Sequence, residues 1–194
     1  MAIEGVILAA GFSSRANAFK MALDFDGRSI LQRNIESMYP YCQRMIVVGG
    51  YKIDKIKDLT ASYNKVEVVF NTDYEKGMFS SVKKGVACVK AEKFFFTPGD
   101  YPLITDSILQ GLLNAQGQVI IPMFQGRKGH PIMMTKEMIP KILKEPVESN
   151  LKVCLQKESI TLVEVQEKGI LLDVDTMEDY HKAKAYYNKK KNKH

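Results

Sequence analysis

No stretch of this chain stays apolar for the roughly 18 residues that a membrane-crossing helix requires, and no basic region, apolar run and cleavage site open it. Neither a membrane span nor a signal peptide is indicated, and a cytoplasmic protein is expected. Cysteine is scarce. Cys42, Cys88 and Cys154 stand far apart without a C-x-x-C pair, which argues against a disulfide framework and a zinc site and leaves buried free thiols as the expectation. Two nucleotide signatures are also missing. A dinucleotide loop needs G-x-G-x-x-G after the first strand and an acid at the end of the second; here the first loop has one glycine and the second run ends Val48-Gly49-Gly50-Tyr51. Nor is Gly11 followed by the G-x-x-x-x-G-K-S/T spacing of a kinase-like loop. A net charge of +6 is of the sign that suits nucleic acid, but Lys189, Lys190, Lys191 and Lys193 supply four of those charges at the chain's end. The body is nearly neutral and carries no nucleic-acid motif, so neither nucleic acid nor a membrane is an expected partner.

What the chain does have is enough apolar material and a regular order. Of its 194 residues 45% are hydrophobic, which suits one domain with a real core. No linker, repeat or low-complexity segment interrupts it before the lysines, so residues 1–188 read as a single domain and 189–194 as a basic tail. Apolar runs of strand length at 6–9, 45–48, 66–70, 94–97 and 119–122 alternate with helical periods at 30–38, 53–63, 80–89 and 108–115. Such alternation implies βαβ units and an α/β class, a Rossmann-like three-layer α/β/α sandwich on a mostly parallel sheet. After Pro122 the order changes. A short strand at 132–134, helices near 136–144 and 151–156, a strand at 160–165, a turn at Gly169 and a last helix from Met177 should add antiparallel strands and a lid to the same sheet.

Open α/β sheets bind ligands beyond the carboxyl ends of their strands, so the loops there matter most. Residues 6–20 run from an apolar strand into small residues. Val6, Ile7 and Leu8 suit a buried parallel strand, Ala9, Ala10 and Gly11 leave backbone N–H groups open to a ligand, and Arg15 and Lys20 bring positive charge without an acid: a loop suited to holding a triphosphate. Five residues separate Arg15 from Lys20, so they are not a helix-face pair; reaching around a loop fits better, with both neutralising charge that builds on an α-phosphate and a departing pyrophosphate.

Asp100 follows the apolar run Phe94-Phe95-Phe96 with Gly99 before it and Pro102 after it, which places its carboxylate on a constrained turn at a strand's end. One or two such carboxylates, with waters and substrate phosphates, satisfy magnesium. Capping the next helix is the competing role, for which Asp106 is better placed. In Leu172-Asp173-Val174-Asp175, alternation along a strand puts both acids on one side. A metal offsets two such charges, with Asp175 the second ligand and Asp173 in support, while Thr176 and Asp179 form a capping box for the final helix. Asn71 and the 77–81 stretch, Ser80 and Ser81 included, offer amide and hydroxyl groups to a base or ribose, although Ser80 equally suits a helix start. His130, between Gly129 and Pro131, is either a contact for an acceptor substrate or a loop residue without a role.

Together these motifs resemble the molybdenum cofactor nucleotidyltransferases of the MobA-like NTP transferase family, and the cytidylyltransferase branch more than the guanylyltransferase branch. Residues 8–20 match L-A-A-G-x-S-x-R-M-G-x-x-K, 71–81 match N-x-D-W-x-x-G-M-x-S-S, 99–102 match G-D-x-P, 126–131 match G-x-x-G-H-P, and 171–179 match L-L-D-I-D-T-P-E-D. Departures include Ala16-Asn17 for Met-Gly and Met177 for Pro. Ala10 and Tyr101 resemble the cytidine-using branch. The resemblance implies the nucleotide-diphospho-sugar transferase type of fold and a magnesium-dependent transfer of a nucleoside monophosphate from an NTP, CTP preferred, to a phosphorylated acceptor such as molybdopterin, releasing pyrophosphate. It implies Leu8, Ala9, Ala10, Gly11, Arg15, Lys20, Asn71, Ser80, Ser81 and Gly99 at the nucleotide, Arg15, Lys20 and Asp100 in catalysis, Asp100 and Asp175 at Mg²⁺, and His130 at the acceptor. A molybdoenzyme receiving the product is the implied protein partner. Transfer to a sugar phosphate or other small phosphorylated alcohol, and a nucleotide-binding domain without turnover, remain open alternatives.

Overall fold

A computed structural model describes residues 2–12 and 19–192. In chain order the elements are β1 (Ile3–Ala9), α1 (Ile30–Met38), β2 (Arg44–Gly49), α2 (Ile53–Thr60), β3 (Val66–Phe70), α3 (Met78–Val86), β4 (Lys93–Pro98), α4 (Asp106–Asn114), β5 (Val119–Phe124), β6 (Arg127–Lys128), β7 (Ile132–Thr135), α5 (Met138–Lys144), α6 (Leu151–Gln156), β8 (Ile160–Glu164) and α7 (Met177–Lys191). The strands form one sheet in the order β3-β2-β1-β4-β7-β5-β6, with β8 also paired to β5. β1 lies parallel between β2 and β4, and β3 continues the parallel half. β7 runs antiparallel to both β4 and β5, β6 returns against β5, and β8 is parallel to it. The antiparallel additions thus fall in the C-terminal half.

Strand alternation explains the three layers. Ile7 of β1 packs with Leu31, Ile35 and Met38 of α1, Ile56 of α2 and Leu112 of α4 on one face. Val6 and Leu8 turn to the other face, against Val82 and Val86 of α3, Met138 and Ile142 of α5, and Leu155 of α6. A strand covered on both faces has no solvent side to mark with polar residues, which is why the run read as continuously apolar. The exception is Glu4, 2% exposed on β1. Its carboxylate accepts hydrogen bonds from Arg44 Nη1 at 3.0 Å and from the backbone N–H groups of Lys90 and Ala91, and so fixes the chain's entry into β4.

Local signals set the helix starts. Ser29 and Gln32 form a capping box for α1, and Thr176 and Asp179 form one for α7. α7 runs to Lys191, so Lys189, Lys190 and Lys191 are its last turn, where positive charge complements the helix dipole; Lys190 pairs with Glu167 and Lys191 with Asp26. Cys42 and Cys154 are buried, Cys88 is partly so, and all three are free. Burial pushes the Cys42 thiol up to about 12.

Candidate active site

The cleft lies beyond the carboxyl ends of β1 and β4. Leu8, Ala9 and Ala10 are buried and line its floor with Gly11. The floor is stitched to both neighbouring strands: Tyr51 N–H donates to Ala10 O at 3.2 Å, and Gly99 N–H donates to Leu8 O at 2.8 Å. A Cβ on Gly99 would come within 2.9 Å of Met21 Sδ and 3.0 Å of Leu8 O, so a side chain there would crowd the end of β4 against β1. Gly99 therefore positions Asp100 and does not itself line the cleft. Phe12 leaves the floor between the rings of Tyr51 and Tyr74, with centroids 5.4 and 5.3 Å away. Arg15, expected at the phosphates, lies outside the described residues.

Lys20 opens a single 3-10 turn and joins three parts of the chain. Its Nζ donates to Asp100 Oδ2 at 2.5 Å and to Asp175 Oδ1 at 3.0 Å, bridging the end of β4 to the segment before α7. Burial lowers the lysine's proton affinity, but the charge of Asp100 and the hydrogen bonds to both carboxylates outweigh it and hold the ammonium above its ordinary pKa. The D-x-D segment is not a strand, in contrast to the alternation argument; it is irregular chain that bends at Asp175 and is fixed by Val174 N–H donating to Asp100 O at 3.0 Å. With Val174 fully buried, Asp173 and Asp175 still face the cleft.

Three carboxylates and one lysine make this cleft acidic among the described residues. Burial, reinforced by the Asp100 and Asp175 charges, raises the Asp173 carboxyl above the usual range. Burial and then the Asp173, Asp100 and Asp175 charges push the Tyr101 phenol up. Asp100 Oδ1 is buried with no hydrogen-bond partner. No group of three or more metal-ligating side chains occurs among the described residues. The orphaned Asp100 oxygen beside Asp175 nevertheless fits a divalent cation that takes one or two carboxylates and keeps its waters, a cation for which the Lys20 ammonium would have to give way.

His130 lies against the Tyr101 ring with centroids 4.8 Å apart and lines the same cleft. Burial, opposed by a hydrogen bond to the Phe96 backbone, pushes its imidazole down to about 4, so the ring is neutral at pH 7. Asn71, Ser80 and Ser81 are buried, and their polar groups bond to one another: Asn71 Nδ2 donates to both hydroxyls at 2.9 Å, while Ser80 Oγ donates to Asp73 O and Gly77 O. They tie the loop after β3 to α3, and of the three only Ser81 lines the cleft. α3 itself starts at Met78, two residues before Ser80, and α4 is preceded by Thr105, with Asp106 in its first turn making no cap bond. Met78 was missed from sequence. It is 69% exposed, and its place directly after Gly77 at the helix start was the available signal.

Residues 5–161 match the model of the MobA-like NTP transferase domain, and the chain belongs to that family. It is a nucleotidyltransferase. It is 33% identical over 187 residues to the molybdenum cofactor cytidylyltransferase of Escherichia coli (strain K12), covering 96% of this chain and 97% of that one. A nucleotidyl transferase from Methanothermobacter superposes with a TM-score of 0.86 at 18% identity, over 97% of this chain and 99% of that one. A Mycobacterium tuberculosis H37Rv protein solved in complex with manganese superposes with a TM-score of 0.77 at 19% identity, over 94% and 98%.

Proposed function

We propose that the chain catalyses magnesium-dependent transfer of a cytidylyl group from CTP to the phosphate of molybdopterin or its molybdenum-bearing form, releasing pyrophosphate in the cytoplasm for eventual use by a molybdoenzyme. The observation that carries this reading is the convergence of Lys20, Asp100 and Asp175 beside a backbone floor of small residues. The likeness to the Escherichia coli cytidylyltransferase and the alanine at position 10 support the choice of base and acceptor.

In this reading the floor's N–H groups take the phosphates, and Lys20 and Arg15 neutralise the α-phosphate and the departing pyrophosphate. Asp100 and Asp175 would hold the magnesium ion, which when bound withdraws charge from the phosphate oxygens. An oxygen of the acceptor's phosphate attacks the α-phosphorus in line as the bond to the β-phosphate oxygen breaks, and the electron pair leaves with pyrophosphate. No side chain need act as nucleophile; orientation and charge supply the catalysis. Neutral His130, backed by Tyr101, borders the acceptor's side of the cleft. Asp100→Asn tests the reading: pyrophosphate release should fall below about 1% of the parent rate with the fold and CTP binding kept, and substantial remaining activity would overturn the metal assignment.

A further inference from the structure

One polar side chain stands on the buried stripe of α1. Ile30, Leu31, Ile35 and Met38 are apolar and fully buried there, and Asn34 among them is buried just as completely. The period of α1 calls for an apolar residue at that place, since taking an amide out of water costs free energy that an aliphatic side chain does not. The Asn34 Nδ2 donates to Pro98 O at 2.9 Å and to Tyr101 O at 3.4 Å, so one amide reaches the carbonyls on either side of Gly99-Asp100. Its Oδ1 is buried without a partner. A helix that had only to cover the sheet would be better served by an apolar side chain, which leaves no such oxygen.

The turn that carries Asp100 is held from three sides. Gly99 N–H donates to Leu8 O of β1, Asp100 O accepts from Val174 N–H of the D-x-D segment, and Asn34 supplies the hold from the helix layer. The bond from Thr97 Oγ1 to Pro98 O is local and ties the turn to no other element. A carboxylate serves a metal or a phosphate only when its backbone delivers it to within a fraction of an ångström of its working place. We infer that Asn34 is a positioning residue for the transfer reaction: its amide fixes the 98–101 turn so that the orphaned Oδ1 of Asp100 is presented beside Asp175. Asn34 does not itself line the cleft and acts only through this turn. The inference rests on the reading of Asp100 as a metal ligand and deepens it, because it adds a residue of α1 on which that ligand's aim depends.

Three variants and Asp100→Asn make the test. Asn34→Ala removes the donors, Asn34→Leu removes them without opening a cavity, and Met38→Ala loosens the same helix one turn on without touching the bonds to the turn. A CTP dissociation constant within about twofold of the parent's, measured with divalent metal removed, shows that each is folded. Both Asn34 variants should bind magnesium alone at least about fivefold more weakly and lose kcat at least about tenfold at saturating magnesium, with KM for CTP within about twofold. Met38→Ala should keep kcat and magnesium affinity within about twofold of the parent's. With Asp100→Asn inactive, unchanged kcat and magnesium affinity in either Asn34 variant, or an equal loss in Met38→Ala, overturns the inference and leaves the metal reading standing. An active Asp100→Asn overturns that reading, and the inference with it.

Discussion

Lys20→Met removes one positive charge from between two carboxylates and keeps a side chain of similar reach. At 2.5 and 3.0 Å the two contacts each carry an attraction of about 5–7 kcal/mol at an effective dielectric near 20, most of it offset by the desolvation of a lysine whose side chain is 14% exposed. The net loss of stability should be about 1–3 kcal/mol, since Asp175, 32% exposed, is partly solvated already. The same substitution should help the metal. Without the ammonium a divalent cation meets no like charge between Asp100 and Asp175, and magnesium affinity in the absence of nucleotide should rise at least about tenfold. Turnover should nevertheless fall by about 10²–10³ if, as proposed, Lys20 meets the charge on the α-phosphate. Urea unfolding with and without magnesium reads the first two effects, and pyrophosphate release the third. Unchanged stability with unchanged magnesium affinity would refute the bridging role of Lys20.

Other outcomes follow from particular contacts. His130 binds its proton near 6.5 when unfolded and only near 4 when buried, so native stability should decline as pH falls through that window, by on the order of 3 kcal/mol once complete. In His130→Phe that part of the pH profile should flatten, and a parallel decline in both proteins would contradict the burial argument. Gly85→Ala puts a Cβ 2.7 Å from Val6 Cγ1 and 2.9 Å from Val48 Cγ2, and should cost about 1–3 kcal/mol in urea titration as α3 is pushed off the sheet. Glu4→Ala strands the buried N–H of Ala91 and the part-buried N–H of Lys90 and should cost about 1–3 kcal/mol, tempered because Arg44 keeps Glu67. Unchanged unfolding midpoints in either variant would refute the packing described.

The parallel half of the sheet was legible because strands buried on both faces write themselves as unbroken apolar runs, and the capping pair Thr176 and Asp179 wrote the start of α7. Asp100 and Asp175 could be placed together from their loops alone. Period could not show that Lys20 bridges them, since a contact across 155 residues leaves no local trace. Asn71 and Ser80 read as ligand contacts because amides and hydroxyls near a cleft can serve either a substrate or the fold; their bonds to each other and to the loop after β3 run between segments that no local pattern links. Glu4 was invisible for the opposite reason, an acid in an apolar strand whose partners lie 40 and more residues away. The lysines at 189–191 read as a tail because a charged run has no apolar stripe, while α7 extends through them and Lys190 and Lys191 pair with Glu167 and Asp26.

Pyrophosphate release measured with each of the four ribonucleoside triphosphates and magnesium, with and without molybdenum-bearing molybdopterin, tests the central claim most directly. Release with CTP that depends on the acceptor, and little with ATP, GTP or UTP, is the predicted result. CTP binding with no release under any of these conditions would contradict it.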